Sequence, residues 1–431
     1  MILEGYQKHR IFKIPRYFDW AVIVNGEECL EDVRKATDDK LSFMDSLNLG
    51  AQFEYTVSPN LQADLFHIDV VRGRMSRNIS TRMLDVLDEI DQVLSGFFVN
   101  EADQDWVNLT CFSSVVYLVS RVSARFLVGP DLSSNRKYTD IMVSYTEHIG
   151  KGAIIIRFFP KWLKPIMARM LFGNRKMREM ENYLRPLIPE SLESGGMNPA
   201  SNNDMVTWLW NAAPENHRTL HDLASRMIFI HFASISTTSE LLSHVLFSLA
   251  SYTSYIKPLR EEISTIVEAE GWTKSAFDKM RKLDSFIKET QRVHGCSAAG
   301  EGRLTMSDYR FSDGTFIPKG TQIAVAERAI NQDARVYNNP LEFEGFRFAE
   351  MEPLKWQMTA LNEKYMTFGI GRHACPGRFF AIVHIKAVVS RILLNYDIKL
   401  TDEGSGRPKD LWFTGIFSAP NKDAKISLKK R

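Results

Sequence analysis

The sequence predicts a mainly α-helical protein with small β-sheets, and three observations support this. Apolar residues recur at helical spacing over long stretches, such as His67 to about Leu94 and Leu109 to Phe126. One apolar tract, Met227 to Ile256, is long enough for a helix through the centre of a core. After Arg303 the sequence changes to short apolar runs separated by turn residues. A length of 431 residues with 44% hydrophobic composition is sufficient for a large core.

The N-terminal half is predicted to begin with a strand at Trp20–Val24 and a helix from Glu27 to Ala36. Further on, aromatic, aliphatic and basic residues are mixed from Arg157 to Phe172. Such a stretch can lie at a membrane surface. It can also form a helix pair that is broken at Pro160 and Pro165 and covers a pocket. The sequence leaves both interpretations open.

The central apolar tract is predicted to be a core helix, expected from His221 to Tyr255. It carries His231, Glu240 and His244, whereas a membrane span requires about 20 predominantly apolar residues. The segment after Arg303 contains a predicted hairpin whose turn is Asp313-Gly314.

Charge and cysteine content argue against several functional classes. A net charge of +2 argues against nucleic acid as a partner. Cys29, Cys111, Cys296 and Cys375 lie far apart, with neither CxxC nor zinc-site spacing. We therefore expect no disulfide framework and a reducing compartment. The polar start of the chain, Met1–Lys8, does not fit a signal peptide.

The most informative local sequence is Phe368-Gly-Ile-Gly-Arg-His-Ala-Cys375-Pro-Gly-Arg378, followed by an apolar helical stretch. Nearby cationic side chains and the N-terminus of the following helix stabilise a thiolate. Gly371 and Gly377 permit a close backbone approach or unusual backbone angles. From these residues alone, Cys375 is an iron ligand, a nucleophile or an inert buried thiol.

Two further patterns lie upstream of Cys375. Glu289 and Arg292 share a helix face at i and i+3, and Arg347 is a candidate third member of their ion pair. Taken alone, such a pair most often belongs to a solvated face. Hydroxyl residues cluster between Phe232 and Ser239 in the long helix. They either bend the helix and hold a small polar ligand or simply allow close helix packing.

The order of these three patterns resembles that of the cytochrome P450 family, and is most similar to its fungal microsomal members. The resemblance runs from about Glu4 to Ile426. It implies the P450 fold, with haem between the long central helix and the cysteine loop. It also implies that residues 1–431 form a single catalytic domain without the N-terminal membrane anchor and hinge of those relatives.

The resemblance implies a role for each candidate site residue. Cys375 is expected to be the axial iron ligand, with Phe368 packed near it and Gly371 and Gly377 letting the loop reach the metal. Haem propionates are expected to contact His373 and Arg303, and by a looser match Arg72 and His67. Glu289, Arg292 and Arg347 are expected to form a structural triad that braces the cysteine loop.

Thr237 matches the threonine that guides protons to iron-bound dioxygen in this family. Here the sequence departs from the usual pattern, because Ser236 replaces the acid before that threonine and Ser234 replaces a glycine. Ser236 is a poor proton donor but can hold a water; otherwise it is a packing residue.

The resemblance implies a haem-thiolate monooxygenase that uses haem b and inserts one oxygen atom of O2 into a hydrophobic small molecule, such as a fungal terpenoid. Electrons are expected from NADPH through a flavoprotein reductase docked near Arg372, Arg378 and Lys364. The expected location is the cytosolic face of the endoplasmic reticulum, as a monomer with peripheral membrane contact. Two alternatives stay open: a haem-thiolate isomerase or dehydratase that needs no reductase, and a non-catalytic haem-binding protein.

Overall fold

A computed structural model describes residues 1–16, 20–99, 105–172, 175–188, 203–413 and 416–431. Its α-helices are α1 Ile2–Lys8, α2 Glu27–Lys35, α3 Phe43–Ala51, α4 Phe53–Thr56, α5 Asn60–Ala63, α6 Phe66–Val70, α7 Met83–Gly96, α8 Cys111–Val128, α9 Pro130–Ser133, α10 Arg136–Arg157, α11 Lys164–Phe172, α12 Arg175–Leu184, α13 Met205–Ala212, α14 Leu220–Ser251, α15 Ile256–Glu270, α16 Lys274–Lys279, α17 Arg281–Val293, α18 Glu327–Asn331, α19 Pro353–Trp356 and α20 Arg378–Asn395. Its strands are β1 Ile11–Pro15, β2 Trp20–Val24, β3 Leu41–Ser42, β4 Val107–Thr110, β5 Gly300–Thr305, β6 Tyr309–Arg310, β7 Phe316–Ile317, β8 Gln322–Val325, β9 Tyr396–Leu400, β10 Leu411–Phe413, β11 Phe417–Ala419 and β12 Lys425–Lys430. The prediction of a mainly helical protein with small sheets is confirmed.

The central helix α14 organises the core. It begins after Thr219, whose hydroxyl accepts a hydrogen bond from the Asp222 backbone N–H at 3.1 Å, and it continues without interruption for 32 residues. Most of its side chains are buried, and it packs against α8, α10 and α17. The clustered hydroxyls therefore do not break the helix. The predicted core helix is confirmed.

Two sheets join distant parts of the chain. Five strands pair in the order β1-β2-β8-β5-β3, with β2 parallel to β8 and the other pairs antiparallel. Three antiparallel strands pair in the order β4-β12-β9. The predicted hairpin forms between β6 and β7, and Gly314 in its turn has a φ of 89°, which favours glycine.

The stretch of helical spacing from His67 to about Leu94 forms two helices separated by a turn at Asn78, whose side-chain amide donates to the Arg74 carbonyl at 2.9 Å. One local prediction was wrong. The helix break predicted at Pro160 lies between α10 and α11, but Pro165 does not break a helix. It is the second residue of α11, where an absent N–H costs nothing.

Among the described helices, α8 is long and apolar enough to cross a membrane, with a mean hydropathy of 1.4. Of its residues, 61% are buried inside the fold. A core helix passes the same test of length and composition, so this is weak evidence for a membrane span.

Candidate active site

The Cys375 loop is held immediately before the N-terminus of α20. The backbone N–H of Cys375 donates to the Phe368 carbonyl at 2.8 Å. Arg378, the first residue of α20, donates through Nη1 to the Cys375 carbonyl at 2.9 Å. The loop therefore presents Cys375 where the dipole of a helix favours negative charge.

The two glycines of this loop have different surroundings. Gly371 has a φ of +64°, and a Cβ there would lie 2.9 Å from Cγ of Arg34 in α2. Its glycine requirement therefore has a local cause in backbone angle and packing against α2. A Cβ on Gly377 would meet nothing within 4 Å, so this residue borders open space.

The three residues of the expected structural triad lie together. Arg292 donates to Glu289 through Nε at 2.7 Å and Nη2 at 2.8 Å. Arg347 Nε lies 3.1 and 3.2 Å from the two Glu289 oxygens. Glu289 and Arg292 are fully buried and Arg347 is 5% exposed, so this is not a solvated face. Remaining donors bind backbone carbonyls, including those of Asn331 and Pro340 at 2.7 and 2.6 Å.

The triad contacts the segment that leads to the Cys375 loop. The Arg292 guanidinium lies over the Tyr337 ring, 5.1 Å from its centroid. The Tyr337 hydroxyl donates to the Lys364 carbonyl at 2.6 Å, four residues before Phe368. This is a physical route by which the ion network can brace the loop.

Arg303 and His373 lie on the same aromatic ring. The buried Arg303 guanidinium is 5.3 Å from the centroid of Phe43, and the His373 ring stacks on Phe43 at 5.3 Å. His373 Nε2 is 2.7 Å from Asp38 Oδ1. Burial and the Arg303 charge lower the pKa of His373. The two expected propionate partners are therefore close together, but His373 already has a carboxylate partner.

His67 and Arg72 differ in burial and in their hydrogen-bond partners. His67 is buried, and its Nδ1 lies 2.7 Å from Nη1 of Arg226. Arginine only donates, so Nδ1 accepts and the proton of the neutral ring lies on Nε2. Burial, with the Arg226 charge, lowers the pKa of His67 to about 3. Arg72 is half exposed and donates to Asp69 at 3.3 Å and to the Arg372 carbonyl at 3.1 Å.

One face of α14 is open in the middle of an otherwise buried helix. Ala233 and Thr237, one turn apart, are exposed, and Ser236 beside them is half-buried. The Thr237 hydroxyl donates to the Ala233 carbonyl at 2.9 Å, and the Ser236 hydroxyl donates to the Phe232 carbonyl at 2.7 Å. Both hydroxyls keep lone pairs available to accept a hydrogen bond.

The comparisons with known proteins identify the family. The sequence model for cytochrome P450 matches residues 69–428. The chain belongs to the cytochrome P450 family.

Two relatives of this P450 are fungal oxidoreductases. The chain is 35% identical to cytochrome P450 monooxygenase 151 of Postia placenta, covering 100% of this chain and 88% of that protein. It is 30% identical to the ent-kaurene oxidase of Gibberella intermedia, covering 100% and 83%. A retinoic-acid-bound cyanobacterial CYP120A1 superposes with a TM-score of 0.72 at 18% identity, over 99% of this chain and 93% of that one. That last likeness shows the fold alone.

Membership of the P450 family implies a haem cofactor, and residues of this chain fit one. His67 Nε2 is a buried donor without a hydrogen-bond partner among the described residues. Such an orphan is costly unless a further group satisfies it. Ala233 and Thr237 are exposed, and a Cβ on Gly377 would meet nothing within 4 Å. Arg303, which is buried, and Arg72, which is half exposed, carry charge suited to an anionic group.

Two loops, residues 297–300 and 413–417, lie side by side and pair through Ser297 and Phe417. Ala298 N–H donates to the Ile416 carbonyl at 2.7 Å, and Ser418 N–H donates to the Cys296 carbonyl at 2.9 Å. Thr414 and Gly415 of the second loop lie outside the described residues.

The basic residues expected at a docking surface divide into two kinds. Arg372 and Lys364 are exposed, although Arg372 also donates to the carbonyl of Ala36, the residue after α2. Arg378 is half-buried and donates to the Thr359 and Cys375 carbonyls, so its charge serves the loop itself.

Sequence reasoning missed Phe43, Asp38 and Arg226 as neighbours of the expected haem contacts. Each is distant in the chain from its partner, and no local sequence pattern predicts such contacts. It also gave no role to Glu240, although a carboxylate in the middle of an apolar helical tract is a signal in the sequence.

Proposed function

We propose that this P450 is a haem-thiolate monooxygenase that inserts one oxygen atom of O2 into a hydrophobic small molecule. The observation that supports it most is the Cys375 loop, fixed at the N-terminus of α20 by one backbone hydrogen bond and one from the Arg378 side chain, in a chain of this family. Haem b, with the Cys375 thiolate as iron ligand, would supply the oxidative chemistry.

The other site residues would bind and orient the cofactor and manage protons. Arg303, Arg72 and the Nε2–H of His67 are the donors proposed for the propionates. His373 would bind one through Nδ1, because its Nε2 is already engaged by Asp38 at 2.7 Å and by the Arg372 Nε–H at 3.2 Å. Thr237, with Ser236 beside it, would hold water against the reacting oxygen.

The proposed substrate class is lipophilic, with terpenoids of fungal secondary metabolism first. The supporting observations are the apolar and small residues of the two paired loops and the similarity to an ent-kaurene oxidase. Incubation with a reductase and a terpenoid panel, read by mass spectrometry, tests this class. Substrate-dependent products of added oxygen mass are expected with terpenoids. Their absence, with products from other lipophiles, would contradict the terpenoid assignment.

The proposed partner is an NADPH-dependent flavoprotein reductase, docked where Arg372 and Lys364 are exposed near the Cys375 loop. The proposed state is a monomeric, single catalytic domain at the cytosolic face of the endoplasmic reticulum. Peripheral membrane contact is supported by exposed apolar side chains around α11, including Phe158 at 65%, Trp162 at 74% and Met170 at 75%.

The ferrous-carbonyl spectrum tests the ligand assignment directly. We expect the wild type to show the strongly red-shifted band of a haem thiolate and Cys375→Ser to lose it. Cys296→Ser is the matched control, since Cys296 is likewise partly exposed and outside any disulfide, and it should keep the band. A red-shifted band that survives in Cys375→Ser would refute Cys375 as the ligand.

One observation favours a second candidate, a haem-thiolate isomerase or dehydratase. The position of the usual acid is Ser236, whose hydroxyl proton is engaged by the Phe232 carbonyl. Turnover without NADPH and reductase would support this candidate and contradict the monooxygenase. Haem binding without any turnover or substrate-induced spin change would instead support a non-catalytic protein.

A further inference from the structure

The face of α14 that is open at Ala233 and Thr237 continues to a carboxylate. Glu240 is three residues after Thr237 and four after Ser236, so all three belong to one surface of the helix. Long helical side chains lean back toward the helix N-terminus, over the residues three and four positions earlier. Glu240 therefore extends toward Thr237 and Ser236 and is half-buried like Ser236.

The surroundings of Glu240 are unusual for an acid. No hydrogen bond or ion pair joins it to another residue in the described part of the chain, whereas buried carboxylates are usually paired. Burial raises the pKa of Glu240 to about 7, and only the charge of Lys422 opposes this. On the facing segment, burial raises the pKa of the Cys296 thiol, and the charges of Glu240 and Glu327 raise it further, so Glu240 lies within electrostatic reach of this thiol.

Lys422 lies at the surface, on the loop before β12. Glu240 is thus within electrostatic reach of a solvent-exposed loop on one side and one helical turn from Thr237 on the other. A group in this place can exchange protons with solvent and with water at Thr237.

We propose that Glu240 is the proton-donating acid of this active site. It takes the place of the acid that the family usually carries at the position of Ser236. This rests on the proposed monooxygenase function. The carboxylic acid of Glu240 gives its proton to a water held by the Thr237 hydroxyl. The resulting carboxylate regains a proton from solvent on the Lys422 side. No bond other than these O–H bonds is made or broken in the relay.

The first test is a pH titration of the haem-replete protein by difference infrared spectroscopy, which needs no substrate. A carboxylic-acid carbonyl band is expected to disappear with a midpoint near pH 7. Glu240→Gln should lack this transition. Glu268→Gln removes an exposed carboxylate of α15 and should keep it. A wild type without the transition, or its persistence in Glu240→Gln, would overturn the proposal.

The second test measures the fraction of NADPH electrons recovered in product rather than in hydrogen peroxide. Glu240→Gln should lower this fraction roughly a hundredfold, the lower end of what a positioned acid contributes. Glu240→Asp should restore part of it, and Glu268→Gln should match the wild type. The wild-type fraction should fall as pH rises above about 7, because the protonated acid is lost, and the Glu240→Gln profile should be flat.

The outcomes separate the two proposals. A wild type that forms no reductase-dependent product refutes the monooxygenase function and the relay with it. If the wild type forms product and Glu240→Gln recovers the same fraction of NADPH electrons in product, the relay alone is refuted. A raised KM in Glu240→Gln with that fraction unchanged also refutes the relay, since Glu240 would then be a substrate contact. Ferrous-carbonyl spectra confirm that each variant is folded and loaded before it is compared.

Discussion

Replacing Glu289 with Gln should destabilise the protein far more than its small change in shape suggests. Glu289 accepts hydrogen bonds from Arg292 at 2.7 and 2.8 Å, from Arg347 at 3.1 and 3.2 Å, and from the Glu344 backbone at 2.9 Å. In Glu289→Gln an NH2 group faces guanidinium donors, and two buried cations lose their shared counter-charge. Breaking a buried pair by removing one partner costs about 3–5 kcal/mol.

The expected loss is a large share of a typical total stability of about 5–15 kcal/mol. It should therefore lower the denaturant midpoint and the fraction of purified protein that carries haem. Circular dichroism follows the helices and absorbance follows the haem, because proteins with bound cofactors need not unfold in one step.

Glu344→Gln is the matched control. Glu344 lies 3.3 Å from Arg347 but is 44% exposed, and exposed pairs contribute about 0–1 kcal/mol. We expect near wild-type stability and haem content for this variant. If Glu289→Gln unfolds within about 1 kcal/mol of Glu344→Gln, the brace does not depend on the buried charge.

Two further predictions concern the surface and the interior. Trp162→Asp should weaken binding to anionic vesicles by roughly tenfold or more, since burying one large apolar side chain is worth about 1.5–3 kcal/mol. Leu84→Asp, at an exposed position on α7, is the control. Equal binding of both variants would contradict membrane contact through the side chains around α11. His384→Leu should be neutral or stabilising, because His384 is buried with neither ring nitrogen hydrogen-bonded among the described residues. Burial lowers the pKa of His384 to about 3, so the unfolded chain binds one more proton below about pH 6.5 and the wild type loses stability as pH falls from there toward 3. His384→Leu should reduce that slope by one proton, about 1.4 kcal/mol per pH unit; an unchanged slope in urea midpoints would refute this assignment.

The sequence was most informative where chemistry demands particular residues at short range. The cysteine loop, the Glu289–Arg292 pair and the central helix were each found from a local pattern, and the structure places them as elements of one core. Arg347 was also found as a candidate partner, although its contact with Glu289 spans 58 residues.

The sequence was least informative where neighbours come from distant elements. Asp38 and Phe43 flank His373 across more than 300 residues, and Arg226 orients His67 from another helix. Pro165 was misread because a proline is tolerated in the first turn of a helix. Local rules describe the element that carries a residue, but the partner depends on the tertiary fold.

The pairing of β4 with β12 has a consequence for how the protein is made. Their side chains meet across 319 residues, at Asn108 and Ser427, and the residues proposed to hold haem extend from His67 to Cys375. At a ribosomal rate of about 5–20 residues per second, roughly 15–60 s separate the synthesis of His67 from that of Cys375. Within that interval the apolar surface of α8 is made first and that of α14 later, and each exists for a time without the strands and loop that complete it. Chaperone supply and haem availability late in synthesis should therefore affect the yield of recombinant holoprotein.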